Sequence, residues 1–339
     1  MAGLEFTRAC EAARKHHAGL KPFFVPGDVL RNAGSRLTVD SVPMAHRIVS
    51  PEDDDADLRF LFEGAAVVTL PVSGSRPESV RNLAAPVSLG ASTFALGEPR
   101  SASVVAMRPS QVLRLSPQGL KDIARDSPTV ATGLLRWAAL DVIDWLRESR
   151  LGNDAWSLRN QVGGDAERAF EYEESRRDAL EIDAGTQAAV IDSLAEVRAL
   201  EGVSLMPLAE ALGTHVHLAL VKAGEPVLAH NERDGALYLL LDGSASVKGR
   251  SGQTLARFRA GGDAHEVLLG EVAFLAQGGR DGTVTADTDC VLLVLPRTSV
   301  TWMLVKHGAL AVALHHALLR TLCWRMREID ANRQQLAQG

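Results

Sequence analysis

The sequence predicts an α+β chain that contains two copies of one domain joined by a helical linker. Three observations carry that reading. Residues 90–104 and 270–284 match without a gap at a spacing of 180 residues: Gly90 aligns with Gly270, Phe94 with Phe274, Arg100 with Arg280 and Val104 with Val284. The match continues to Ala106 and Ala286, and to Leu115 and Leu295. Short β-like apolar runs precede each copy and helical periodicity follows it, which marks a duplicated supersecondary unit. The length of 339 residues is also about two domains' worth on a prior of roughly 150 residues each.

The repeated segment has the makings of an anion site. In the second copy Gly270 and Glu271 open a short apolar turn, and Arg280 follows ten residues after the glycine. A helix start presents unpaired backbone N–H groups, and a guanidinium grips phosphate oxygens through two parallel hydrogen bonds. The Glu271 carboxylate suits sugar hydroxyls instead. Both segments resemble the phosphate-binding cassette of cyclic-nucleotide-binding domains, the β-roll of catabolite activator protein and of the regulatory subunits of cAMP-dependent protein kinase. The resemblance extends upstream in the second half through residues 223–228 and 234–247, and covers about 100 residues per copy.

That resemblance implies two double-stranded β-helix (jelly-roll) domains with flanking helices, at residues 1–152 and 201–339, with a helical linker at 153–200. It implies a ligand site at Gly270, Glu271, Val272, Arg280, Asp281 and Gly282, where Arg280 holds the cyclic phosphate, Glu271 the ribose hydroxyl, and the backbone around Gly270 and Gly282 completes the cradle. A second, degenerate site lies at Gly90, Ala91, Arg100, Ser101 and Ala102. Ala91 stands where the sugar-binding carboxylate belongs, a loss of about 1.5–3 kcal/mol. Asp281 places a negative charge beside the arginine that would hold the phosphate. The implied ligand is cAMP, cGMP or a cyclic dinucleotide, with no cofactor, no metal and no catalysis. The implied partners are a second subunit or a protein client, met through the helices after each roll.

The elements follow in order. Residues 4–20 read as a helix, with His16 and His17 near its end as ordinary histidines in preference to metal ligands. From 25 to 72 the pattern is strand-like: Pro26, Gly27 and Asp28 open one strand, and residues 58–68 supply two more. Between them the acidic run at 51–57 reads as a solvated loop. Residues 112–115 form a strand, Ser116 and Pro117 cap a helix, and a longer helix carrying Trp137 and Trp145 as core or interface anchors runs to Arg150. Gly152 and Asn153 end it, and residues 154–164 read as a connector. Residues 165–200 read as a charged linker helix divided at Gly185, and 218–296 as the second strand-rich unit. In the final segment, Leu310, Leu314, Leu318, Leu322 and Met326 form an exposed apolar stripe in need of a packing partner, with Arg320, Arg325, Arg327 and Arg333 as its solvated flanks.

Composition narrows the classes further. A net charge of −6 gives no general attraction to nucleic acid or anionic membrane. The chain stops soon after its last helix, which leaves no room for a helix-turn-helix module, so direct DNA binding is not expected. Three scattered cysteines, no signal-peptide core and no long apolar span point to a reduced cytoplasm. Two other classes remain open. One is a ligand-free scaffold built on degenerate rolls, favoured by Ala91, Asp281 and the apolar stripe. The other is a metal-dependent cupin built on His215, His217, His265 and Glu266, which lacks the glutamate expected near the histidine pair because Val221 stands there.

Overall fold

The computed structural model describes residues 2–25, 27–70, 78–150, 184–195, 203–230, 232–248, 254–276, 279–280 and 282–338. The expected connector at 154–164, most of the linker helix, Gly152, Asn153 and Asp281 lie outside the described residues. The chain divides into two compact units, Met1–Val142 together with Leu322–Gly339, and Ile143–Thr321.

The first unit opens with α1 (Ala2–His16), a 3-10 turn (Ala18–Leu20) and α2 (Asp28–Gly34). Where a strand was expected to open at Asp28, the chain is helical. Asp28 pairs with Arg31 one turn on, and Leu30 and Ala33 bury a common face. Gly34 lies so close to α1 that a Cβ there would stand 2.7 Å from the Gly3 Cα, so the absence of side chains lets the two helices touch.

Eight strands then form the first roll: β1 (Thr38–Val42), β2 (Arg47–Val49), β3 (Leu58–Glu63), β4 (Ala65–Leu70), β5 (Glu78–Ala84), β6 (Val87–Leu89), β7 (Ser103–Ala106) and β8 (Ser110–Leu115). The short helix α3 (Ala91–Leu96) sits between β6 and β7. After β8 come α4 (Pro117–Asp126) and α5 (Pro128–Arg150). The anticipated cap is present: the Gly119 N–H donates to Ser116 Oγ at 3.0 Å, with Pro117 in the first turn. Trp137 of α5 is fully buried between the rings of Phe24 and Phe60, as a core anchor should be.

In the second unit α6 (Ala184–Ala195), which begins beside Gly185, and α7 (Met206–Glu210) lead into the second roll. Its strands are β9 (His217–Val221), β10 (Pro226–Leu228), β11 (Leu237–Asp242), β12 (Ser244–Lys248), β13 (Thr254–Arg259), β14 (Leu268–Leu269), β15 (Val284–Ala286) and β16 (Cys290–Leu295). Helix α8 (Ala264–Val267) precedes β14, and α9 (Glu271–Ala276) follows it. The chain ends in α10 (Thr298–Lys306) and α11 (Gly308–Gln338).

The sheet orders show the duplication directly. The first roll has sheets β1-β8-β3-β6 and β2-β7-β4-β5; the second has β9-β16-β11-β14 and β10-β15-β12-β13, the same order strand for strand. Even the irregularities match, since β3 breaks register between Leu61 and Glu63 against β8, and β11 between Leu240 and Asp242 against β16. Alternating residues fill each core: Leu61, Ala66, Leu89, Val104, Ala106 and Val112 in one, and Leu240, Ala245, Leu269, Val284, Ala286 and Leu292 in the other.

The apolar stripe of the last helix is not exposed. Leu310, Leu314, Leu318 and Leu322 are all buried within the chain, which removes that argument for an assembly surface. Among the described residues no helix is long and apolar enough to cross a membrane.

Candidate functional site

Each cassette is built around a left-handed glycine. Gly90 (φ 78°) and Gly270 (φ 83°) end β6 and β14, turn the chain, and accept the first hydrogen bond of the following helix from Phe94 and Phe274 N–H, both at 3.0 Å. The arginine lies against the glycine in both copies. A Cβ at Gly90 would fall 2.3 Å from Arg100 Nη1, and one at Gly270 2.2 Å from Arg280 Nη1. Glycine is therefore required twice over, by the backbone angle and by the guanidinium.

Of the second-copy residues expected to act together, the structure joins Gly270 to Arg280, whose Nη1 donates to the Gly270 carbonyl at 2.9 Å. Glu271 is buried at the first position of α9 and Val272 is buried next to it in sequence. Gly282 lies just before β15, partly buried. In the first copy Ala91 is buried, Ser101 is exposed, and Ala102 is partly buried before β7.

Both arginines are buried and bonded within their roll. Arg280 is 3% exposed; its Nη2 donates to the Asp234 carboxylate and to the Ala236 carbonyl at 2.7 Å, and its guanidinium lies 5.4 Å from the Tyr238 ring centre. Arg100 is 6% exposed, and its Nη2 donates to Asp55 Oδ1 at 2.6 Å and to the Asp57 carbonyl at 3.0 Å. These two arrangements are equivalent. Asp55 stands three residues before Leu58 and Asp234 three before Leu237, and those leucines pair with Leu115 and Leu295. The loop behind them is duplicated too: Ser50 N–H donates to Asp53 Oδ2, and Ala229 N–H to Glu232 Oε2, both at 3.0 Å.

The acidic run of the first roll is a loop, as expected, but only in part solvated: Pro51, Glu52 and Asp54 are exposed, whereas Asp53, Asp55 and Asp57 turn inward. Asp53, Asp55 and Asp57 balance three arginines: Arg59 reaches Asp53 at 2.7 Å and Asp55 at 2.5 Å, Arg100 reaches Asp55, and Arg114 reaches Asp57 at 2.7 Å. Burial would push the Asp55 carboxyl up, but the Asp57 N–H, Arg100 and Arg59 outweigh it and hold it below the ordinary carboxylate range. In the second roll Tyr238 occupies the place of Arg59, and its hydroxyl donates to Asp234. Among the described residues Asp234 forms an ion pair with Arg280, and Asp55 with Arg59, Arg100 and, at 3.4 Å, Arg114.

The first cassette is also covered from outside the roll. Arg327 of α11 donates from Nε to Ser92 Oγ at 2.6 Å and from Nη2 to the Pro99 carbonyl at 2.8 Å, and pairs with Glu98. Arg327 had been expected on a solvated flank; it is instead a ligand of this loop. A cavity of about 220 Å³ does open in the first roll, lined by Arg47, Arg59, Arg114, Asp40 and Asp53 among others, but Gly90, Ala91 and Arg100 do not line it.

A family model described as the cyclic nucleotide-binding domain matches residues 219–307, which include Gly270, Glu271 and Arg280. The chain carries the cyclic nucleotide-binding fold. Its first roll repeats the topology of that domain without falling within the matched residues. Among curated proteins none matches the chain. Among solved structures, the regulatory domain of Toxoplasma gondii PKA with cAMP is 14% identical, covering 90% of this chain and 94% of its own, with a TM-score of 0.30. The regulatory subunit of a cAMP-independent protein kinase A from Trypanosoma brucei is 16% identical over 91% and 88%, with a TM-score of 0.31. Thermus thermophilus catabolite activator protein is 26% identical over 41% and 64%, with a TM-score of 0.33.

Sequence reasoning missed the carboxylates that hold the two cassette arginines. The signal was present but offset: the acids repeat at 179 residues and the cassettes at 180, so a gapless comparison ends before reaching them. Among the described residues the histidines and glutamate of the cupin alternative are not gathered into a metal-holding group. His215 stacks on Trp302 with ring centres 5.1 Å apart, while Glu266 bonds Arg259 at 2.9 Å.

Proposed function

We propose that the protein is a non-enzymatic cyclic-nucleotide sensor in which the second roll takes the ligand and the first is a non-binding copy. The observation that supports this most is the Asp234 clasp on Arg280. Gly270, Glu271 and Arg280 lie within the family-matched domain, and among the described residues Asp234 is the carboxylate that pairs with Arg280 and that a phosphodiester would displace. Exchange of one anion for another leaves the buried guanidinium neutralised throughout, which avoids the large cost of an unpaired internal charge. The phosphate gains a bidentate partner, and the released Asp234 keeps its Tyr238 hydroxyl.

The response follows from what the arginine holds in place. Arg280 ties the Gly270 turn to the residues before β11 through the Ala236 carbonyl, so drawing it toward ligand loosens that tie. The shift reaches α10 and α11, and through them a second subunit or a client protein in the cytoplasm. A ligand moves this equilibrium only by its differential affinity for the two arrangements. Calorimetry with cAMP, cGMP and cyclic dinucleotides tests the reading. At least one should release or absorb heat with the wild-type chain, and Arg280→Ala should weaken it tenfold to a hundredfold, the value of a charge-assisted bond. Silence in every titration removes the sensor.

A second reading, a ligand-free scaffold, is favoured by both cassettes: Arg280 is buried and held by Asp234, Arg100 is held by Asp55, and Arg327 lies across the first cassette's loop. A mass measurement in solution addresses it, and a strict monomer with no co-purifying partner would count against it.

A further inference from the structure

At the end of α1 the structure gathers groups that neither cassette uses. His16, His17 and Asp141 each place one ligand atom within 4.8 Å of the other two. His16 is the last residue of the helix, and His17 is extended (φ −117°, ψ 100°). That break turns two adjacent imidazoles, which a continuous helix would splay by about 100°, toward one place. Their ring centres are 4.5 Å apart with planes at 75°. Asp141 comes from α5, 124 residues away, and its Oδ1 meets His17 Nε2 at 2.9 Å.

We propose that His16, His17 and Asp141 bind a borderline divalent transition-metal ion of the zinc class, with solvent completing the shell. Two imidazole nitrogens and a carboxylate oxygen are a donor set that suits such ions. The Asp141 carboxylate is buried and already oriented: its Oδ2 accepts the Ser88 N–H at 2.6 Å, an outer contact of the kind that fixes a ligating group. The hydrogen bond to Asp141 accounts for His17 alone. His16, solvent-exposed and edge-on to the His17 ring, brings a ligand atom within 4.8 Å of the same carboxylate, and that exposed ring gives the ion its path of entry. Ligands at about 2.0–2.1 Å from a tetrahedral ion stand roughly 3.4 Å apart. The His17–Asp141 pair, now at 2.9 Å, therefore opens by about half an ångström, and His16, within 4.8 Å of both, closes by at most about 1.4 Å through rotation of its side chain. Arg14 and Lys15 precede the pair, so affinity rests on the ligand bonds and not on a negative field. Ser88 lies two residues before Gly90, which places the ion behind the strand that leads into the first cassette.

The test uses the untagged full-length chain, stripped with chelator and titrated with Co²⁺ and Zn²⁺. One ion per chain is expected, with visible Co²⁺ absorption of a four- or five-coordinate site that Zn²⁺ displaces. His16→Ala, at an exposed position where folding is not at risk, should weaken binding at least tenfold. His17→Ala should abolish the absorption, with circular dichroism confirming the fold, while the double variant His215→Ala and His217→Ala should bind like wild type. No stoichiometric uptake, or equal uptake by His16→Ala, overturns the site.

Discussion

At the residue scale the determining fact is that both cassette arginines are neutralised from within. Asp234→Asn should therefore act in two directions: Arg280 loses its charged partner, so the ligand-free second roll becomes less stable, while nucleotide binds more tightly because no carboxylate must be displaced. Denaturant melts and calorimetry on the same variant read both, and weaker binding would count against the exchange. In the first roll the depressed Asp55 carboxyl fixes the sign of an acid effect. A carboxyl lower in the folded state than its ordinary value of about 3.9 contributes stability that is present above that value and lost as pH falls through the folded one. Stability of the wild type should fall more steeply than that of Asp55→Asn as pH drops below about 4. Parallel acid curves would show that the network carries no linkage.

At the scale of elements, the helices and strands were largely legible. Ser116 and Pro117 announced α4, and its cap can be checked: Ser116→Ala should lower stability by about 1 kcal/mol in chemical denaturation. Residues 58–68 announced β3 and β4, which pivot at Gly64, where φ is 112°. The strand expected at Asp28 was a helix because the Asp28 and Arg31 pair and the glycine contact with α1 outweighed a proline-glycine turn signal. The acidic run at 51–57 was unreadable for a different reason. Local composition says such a run is solvated, and only the fold brings Arg100 and Arg114 to it across 45 and 57 residues of chain. The candidate site was legible in its glycine and arginine, which the sequence repeats, and in Glu271, which it does not, and illegible in the carboxylate that opposes the arginine.

At the scale of the whole molecule, the duplication is complete in topology and incomplete in chemistry. The last residues of α11 belong to the same compact unit as the first roll, and Arg327 among them makes polar contacts with its cassette loop. Arg327→Ala should destabilise that unit by on the order of 1 kcal/mol, since its partner Glu98 is half exposed. It should leave nucleotide affinity at the second roll unchanged. Hydrogen exchange, read separately over residues 90–100 and 270–280, distinguishes the two, and equal loss of protection in both would contradict the assignment.

The exchange of Arg59 for Tyr238 leaves one chain holding two versions of the same joint, one braced at Asp55 by Arg59 and Arg100 and one at Asp234 by Arg280 and a phenol. Each serves as the other's internal reference. A matched change at positions 55 and 234 can be followed in one sample, under identical salt and temperature, and the difference between the two responses isolates what bracing alone contributes.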